Sequence, residues 1–559
     1  MAIGDVTSGM STSGGIYFTG IGSGTDFDTL ITKLVEVESS RVTTYKTWQQ
    51  TWEDKKTAFQ ELNTAMLSMR TALQSMDTIS EFLQKGASSS DTDVLSATAD
   101  GDAETGSYSF TVGQLAKNKM MVTTSGYSSL TTVVNSTGAS RSLVYTYAGV
   151  TVSDAIPAGS TLTDIVNIVN TNSANTGVRA STIYDGSNYY LQLRGLDTGE
   201  ANDLVISGAS TLSGFTGSDF MVTQECQDAK LKINGWPLSG AWISRSTNTV
   251  TDVIDGLSLS LKSTGSGNIT VETDTDAVVE NVQNFIDQVN EVKAMLKELT
   301  EYDSTTETGS LLTGNYGLQM IDSMIKSITS APGVGFSSER DTYISLSSLG
   351  ISTDATEGSS TFGQLLLDED ILEAALASNA NAVGRIFGAQ YIGDTDSADV
   401  SYTSYIDGIT KAGVYDVSYT VQNGKITSAS IGGHAAIFYS NSSTITGQSG
   451  FAEAGMVLTV GNLTDGTYTH KVNLRQGKAG ELVDRLADLT NADTGPLAIL
   501  EDNYTTISDN IQEKIDYETK RIATMETRLR DRYSRLDTLL GQYDALQTSL
   551  ESQIAQLDS

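Results

Sequence analysis

Few residues in this 559-residue chain combine the types and spacing that chemistry needs. The two histidines, His434 and His470, stand far apart with no cysteine or second histidine beside either, which leaves little room for a histidine metal centre. They read as solvated or strand-face side chains. Cys226 is the single cysteine, so no intrachain disulfide and no CxxC zinc or redox site can form. It has no obvious histidine partner and reads as a buried or inert thiol. Asp274-Thr-Asp276 and Asp394-Thr-Asp396 start like calcium loops but lack the glycine and the closing glutamate, and read as surface loops. Gly20-Ile-Gly22-Ser-Gly24 precedes a helical pattern, yet no GxxxxGK[ST], no preceding buried strand and no later strand–helix alternation support a phosphate loop. Carboxylate pairs are too common here to mark glycosidase chemistry. No catalytic, cofactor-binding or metal-ligating residue is assigned, no cofactor is expected, and the chain reads as a non-enzyme.

The composition explains part of this. Lys plus Arg is 34 against 68 Asp plus Glu, a net charge of −34, although only 18% of residues are charged. The acidity comes from missing cations, and such a chain is a poor ligand for nucleic acid. No uninterrupted apolar stretch approaches the length of a membrane-spanning helix, so none is expected. The first residues are Gly/Ser/Thr-rich and lack the basic and apolar regions of a cleaved secretory signal. Proline occurs four times, at Pro157, Pro237, Pro332 and Pro496, none of them in the two helical patterns described next.

Those patterns sit at the ends. After Asp26 or Thr25 as N-cap, apolar residues step by threes and fours through Leu30, Leu34, Val37, Tyr45, Trp48, Trp52, Phe59, Leu62, Met66, Met69, Leu73 and Met76. The last 60 residues repeat the grammar through Ile511, Ile515, Glu518, Ile522, Met525, Leu529, Tyr533, Leu536, Leu540, Tyr543, Leu550 and Leu557. A lone amphipathic helix leaves its stripe unburied. The two stripes are therefore expected to pair as a coiled coil, with everything between them inserted in a helical hairpin. Trp48 and Trp52 read as seam packing.

The middle changes period. From 86 to 275, short alternating runs and turns such as Asp185-Gly186 and Asn234-Gly235 predict β structure, with one short helix over Leu162, Ile165, Val166 and Val169. Helical stripes return over about 276–300, 315–330 and 368–387, as in a bundle. Residues 393–477 turn β-like again. Gly106-Ser-Tyr108, Gly413-Val-Tyr415 and Gly466-Thr-Tyr468 each open an alternating run, which fits either related β modules or a shared strand-entry turn. The helical ends are nearly balanced in charge, and the acidity lies in the β-rich middle.

Thr19-Gly20-Ile21-Gly22-Ser23-Gly24-Thr25-Asp26-Phe27-Asp28-Thr29-Leu30 resembles the opening motif of the bacterial flagellar filament-capping family, hook-associated protein 2. The family has an apolar residue where Thr25 stands. Gly159-Ser-Thr-Leu162 through Thr198-Gly199 is similar to a motif shared by flagellins and cap proteins, and Ala229-Lys-Leu231-Lys-Ile233-Asn234-Gly235, Leu349-Gly350-Ile351 and Arg528-Leu529 with Arg532-Tyr533 extend the likeness along most of the chain. Gly22, Ser23, Gly24 and Asp26 carry its motif; residues 393–477 match it poorly.

The resemblance implies an α+β multidomain fold. Residues 1–45 are a lead-in and coiled-coil helix paired with 515–559. Residues 46–85, 276–392 and 478–514 form a helical leg. Residues 86–135 with 222–275, and 136–221, form two β-rich head domains, and 393–477 is an extra inserted β domain. The resemblance also implies an oligomeric cap at the flagellum tip that retains exported flagellin and promotes its folding and polymerisation. The cap is a ring-like homo-oligomer, commonly a pentamer. It is extracellular, exported without a cleaved signal, and it partners flagellin, the filament tip, hook-associated proteins and a cytosolic chaperone on the C-terminal helix. Legs that meet a filament of different symmetry need several near-equal docking states. The alternatives are another axial flagellar protein, or a secreted adhesin whose β modules bind host or mucus glycans.

Overall fold

The computed structural model describes residues 26–303, 307–439 and 441–557. Its spine is two long helices. α1 (Phe27–Gln74) starts where Asp26 accepts the Thr29 backbone N–H at 3.0 Å, and it contains no proline or glycine. The Thr29 hydroxyl and backbone N–H hold the Asp26 carboxyl below the usual range. A single turn, α2 (Ile79–Phe82), follows with Thr78 and Glu81 in a capping box. The last helix, α8 (Pro496–Leu557), opens on Pro496, where a missing N–H removes no helical hydrogen bond. α1 and α8 each run unbroken through residues 45 and 515, so both expected domain boundaries fall inside a helix.

Between these two helices the chain leaves and re-enters a helical leg twice. α3 (Leu162–Thr171) belongs to a β lobe, whereas α4 (Thr275–Thr300), α5 (Tyr316–Ser330), α6 (Glu369–Gly388) and α7 (Lys478–Leu489) pack with α1 and α8 around one core. Phe59, Leu62, Met66, Phe285, Val289 and Phe387 are among its buried side chains. Burial of a side chain of this kind is worth about 1.5–3 kcal/mol, which stabilises a leg whose isolated helices would fray.

The first excursion is a five-stranded antiparallel sheet ordered Lys85–Ser89, Gly265–Thr273, Gly106–Gln114, Ala229–Ile233 and Ile243–Arg245, faced by strands Leu95–Ala99, Leu257–Leu261 and Thr249–Val250. A further lobe, with its own core of Leu143, Tyr145, Ile165, Leu191 and Phe215, is spliced into the connection from Gln114 to Ala229. The second excursion, Gln390 to Gln476, is again two antiparallel sheets around Val417, Tyr419, Leu458 and Val472.

Two expected surface loops are corrected. Asp274 is the N-cap of α4, accepting from the Ala277 N–H at 3.1 Å, so Asp274-Thr-Asp276 starts a helix. Asp394 lies inside the strand Gln390–Thr395 and faces Arg340 and Arg475. A carboxylate at that position answers cations distant in sequence, which local patterning does not register.

Candidate assembly interface

The α1–α8 pair is antiparallel and joins the two ends of the chain. The Phe27 and Tyr533 rings stack with centroids 5.1 Å apart, and farther along Trp52 meets Tyr504 at 5.4 Å. Between them, Glu38 accepts from Arg521 at 2.6 Å, and the buried Glu518 accepts from Arg521 at 2.6 Å and from Arg41 at 3.4 Å. Glu518 occupies a seam position flanked by the buried Ile515 and Ile522, so its charge is neutralised by two arginines rather than by water.

Of the predicted seam residues, Phe59, Leu62 and Met66 are buried on α1, and Ile515 and Ile522 on α8; Trp52, Met525, Leu529 and Tyr533 are half-buried. Leu30, Leu34, Val37 and Trp48 are corrected: they are exposed by 46%, 41%, 70% and 45%. The facing side chains there are Phe27 and Ile31, both buried, with Val35, Glu38, Val42 and Tyr45 partly covered. The physical reason is register. Val37 lies eight residues before Tyr45, one more than a heptad allows. Stepping back from Tyr45 by threes and fours reaches Val42, Glu38, Val35, Ile31 and Phe27 instead. Leu30, Leu34 and Val37 form a second, exposed stripe beside the one that meets α8. Trp48 carries the Lys514 ammonium over its ring at 5.7 Å.

Leu536, Leu540, Tyr543 and Leu550 are also corrected from seam to surface: they are exposed, and they follow Tyr533, which meets the first residue of α1. Leu539, Leu546 and Ile554 extend this exposed stripe. The side chain of Leu557, and Gly22, Ser23 and Gly24, lie outside the described residues. Beside the stripe is a cationic collar. Arg530 pairs with Asp28 at 2.9 Å and with Glu526 at 2.8 Å. Arg528, Arg532 and Arg535 are exposed. In so acidic a chain this cluster is a local inversion of charge.

The histidines and the cysteine lie elsewhere, in the β-rich part of the chain. His434 donates to or accepts from the buried Glu453 at 2.7 Å and stacks on Phe451 at 3.7 Å; His470 lies 3.4 Å from Asp396 and 3.8 Å from Asp399. The Cys226 thiol is 3.5 Å from an Asp203 oxygen, and burial pushes its pKa up, which opposes thiolate chemistry. Among the described residues no group of three or more His, Cys, Asp or Glu side chains is placed to hold a metal, and no helix is long and apolar enough to cross a membrane.

Comparison with known proteins gives this geometry a family. Residues 226–545 match the flagellar hook-associated protein 2 C-terminus, residues 23–119 its N-terminus, and residues 146–197 the flagellin hook IN motif. The flagellar hook-associated protein 2 of Aquifex aeolicus is 27% identical over 55% of this chain and 70% of its own length. That of Escherichia coli K12 is 28% identical over 72% of this chain and 87% of its own. A crystal structure of the D1-D2-D3 domains of the Escherichia coli flagellar cap protein FliD is 26% identical, covers 59% of this chain and 89% of that one, and has a TM-score of 0.47. With more than half of its residues inside one family model and the two ends matched in order, the chain belongs to the flagellar hook-associated protein 2 family.

Proposed function

We propose that the chain is a structural assembly factor that caps the tip of the flagellar filament, retains exported flagellin there and promotes its folding and polymerisation. The observation that carries this reading is the pair of uncovered apolar surfaces on an otherwise complete leg: Leu30, Leu34 and Val37 on α1, and Leu536, Leu540, Tyr543 and Leu550 on α8. A helical face of this kind in water calls for a protein partner. Membership of the family supports flagellin, the filament tip and hook-associated proteins as partners. The finer reading is a ring-like homo-oligomer, a pentamer, exported without a cleaved signal, with a chaperone on the C-terminal helix before export. In this reading 276–392 with 46–85 and 478–514 is the leg, 86–275 the head, and 393–477 an added β domain. Gly22, Ser23, Gly24 and Asp26 lead into the leg.

The experiment is complementation. In a host lacking its own cap protein and producing the cognate flagellin, the parent chain restores filaments. A Leu30→Gln, Leu34→Gln, Val37→Gln variant keeps the parent's thermal transition and restores none. Filaments of normal length from that variant would remove the reading, and native mass measurement of the purified parent counts the subunits.

A further inference from the structure

The two β excursions from the leg share one plan. Numbering strands within each excursion and leaving out the spliced lobe, the first sheet runs first-last-3-4-5 in both: Lys85–Ser89, Gly265–Thr273, Gly106–Gln114, Ala229–Ile233, Ile243–Arg245 in one (1-8-3-4-5), and Gln390–Thr395, Gly466–Gln476, Gly413–Gln422, Lys425–Ile431, His434–Ala435 in the other (1-9-3-4-5), whose facing sheet has one strand more. In both, the second strand pairs with the penultimate one in the facing sheet.

The registers agree at the strand starts and at the entry tyrosines, although a bulge at Tyr391 shifts the rest of the second copy's first-strand pairing by one residue. Lys85 opposes Thr273 as Gln390 opposes Gln476. Ten residues after each of these starts, Leu95 opposes Leu261 and Val400 opposes Val460. Tyr108 opposes Ile269 as Tyr415 opposes Val472. Each of these tyrosines donates its hydroxyl to the carbonyl four residues earlier, Tyr108 to Glu104 at 3.0 Å and Tyr415 to Lys411 at 2.6 Å. The surrounding sequences share Asp-Gly-x4-Gly-x-Tyr, at Asp100-Gly101 to Tyr108 and at Asp407-Gly408 to Tyr415. Tyr468 makes the same bond to Thr464, so the tyrosine corner alone is only a strand-entry device; strand order and register distinguish the two excursions from it.

The roots correspond too. Phe82 and Phe387 each precede the first strand by three residues, and their rings stack with centroids 4.4 Å apart and planes 10° off parallel. Each last strand is followed after one N-cap residue, Asp274 or Gly477, by a leg helix.

We infer that residues 390–476 are a second copy of the helix-rooted β module formed by 85–114 and 229–273. The hairpin Asn423-Gly424 then corresponds to the connection at which the first copy carries its spliced lobe. The second copy is a shorter arm on the same leg, with that tip left bare as a position for display.

The test exchanges copies within the full chain. Residues Tyr391–Arg475 are replaced by Gly86–Gln114, an Asn-Gly turn and Ala229–Glu272. A second variant keeps the native root and replaces only Asp396–His470 by Asp91–Gln114, Asn-Gly and Ala229–Gly267. In at least one of them, amide exchange in the grafted strands is protected to within about tenfold of the same strands in the native first copy. Unprotected grafted strands in both variants, on a leg that retains its own protection, would overturn the inference.

Discussion

Arg475 Nε lies 2.7 Å from Asp341 Oδ1, and both side chains are almost wholly enclosed, one at the end of the second β module and the other on a loop of the leg. The same guanidinium reaches Asp394 at 3.2 Å and lies over the Phe336 ring at 5.8 Å. Alongside it, Gln476 donates its N–H to the Val334 carbonyl at 3.0 Å and Asn473 donates to the Gly335 carbonyl at 3.0 Å. Gly335 has φ +80°, and a Cβ there would sit 2.0 Å from the Leu474 carbonyl oxygen, so only glycine lets the loop lie this close. The module is clamped to the leg by polar groups, with Arg475 and Asp341 enclosed at their centre.

Asp341→Asn should destabilise the protein by about 3 kcal/mol, because it leaves a buried guanidinium short of charge. An Asp341→Leu, Arg475→Met pair should recover most of that loss, since it removes both desolvated ions together. Urea denaturation of the two variants checks the order, and equal losses would contradict a clamp of this kind.

Asp77, at the joint of α1 and α2, has its pKa raised to about 6, first by burial and then by Glu81 and Asp484. Its folded pKa lies above its unfolded one, so the folded state holds the proton longer. Stability is therefore unaffected by this group below about pH 4 and falls as pH rises towards 6. Asp77→Asn should raise stability at pH 7 by on the order of 1 kcal/mol, after allowing for solvent screening, and change little at pH 3.5. Thermal melts at the two pH values give the sign.

Neighbouring leucine and isoleucine in α1 should behave oppositely. Ile31 is wholly buried and Leu30 is 46% exposed. Ile31→Ala should cost about 2–4 kcal/mol of local stability and Leu30→Ala within about 0.5 kcal/mol. Amide exchange along α1 and the facing α8 measures both.

The collar of Arg528, Arg532 and Arg535 should matter to assembly and not to folding. Reversing all three to Glu should leave the melting temperature within a few degrees while abolishing filament growth. Restoration of growth at raised ionic strength would point to simple repulsion, and full growth at ordinary ionic strength would remove the collar from the interface.

The long helices were legible because a three–four apolar period survives any tertiary context, and Asp26 was legible as a cap because its chemistry is local. The facing residues of α1 were misplaced where a second apolar stripe, Leu30, Leu34 and Val37, competes with Phe27 and Ile31; spacing alone does not say which stripe meets a partner. The clamp was out of reach, since Arg475 and Asp341 are 134 positions apart in sequence. The kinship of the two β modules was half visible in Gly106-x-Tyr108 and Gly413-x-Tyr415, but the same triplet at Gly466 and Tyr468 obscured it until strand order separated them.

The stack of Phe27 on Tyr533 also sets a clock. Its partners are separated by nearly the whole chain, so no N-terminal portion of the polypeptide can close this end of the α1–α8 pair until α8 has followed. Closing so long a loop costs little more entropy than closing a moderate one, because the cost grows only logarithmically with length. The delay is therefore one of delivery rather than of energy. The β modules can form their cores as soon as their own residues are present, whereas the paired ends of the leg close only once α8 is there, and their pairing reports that both ends have been delivered.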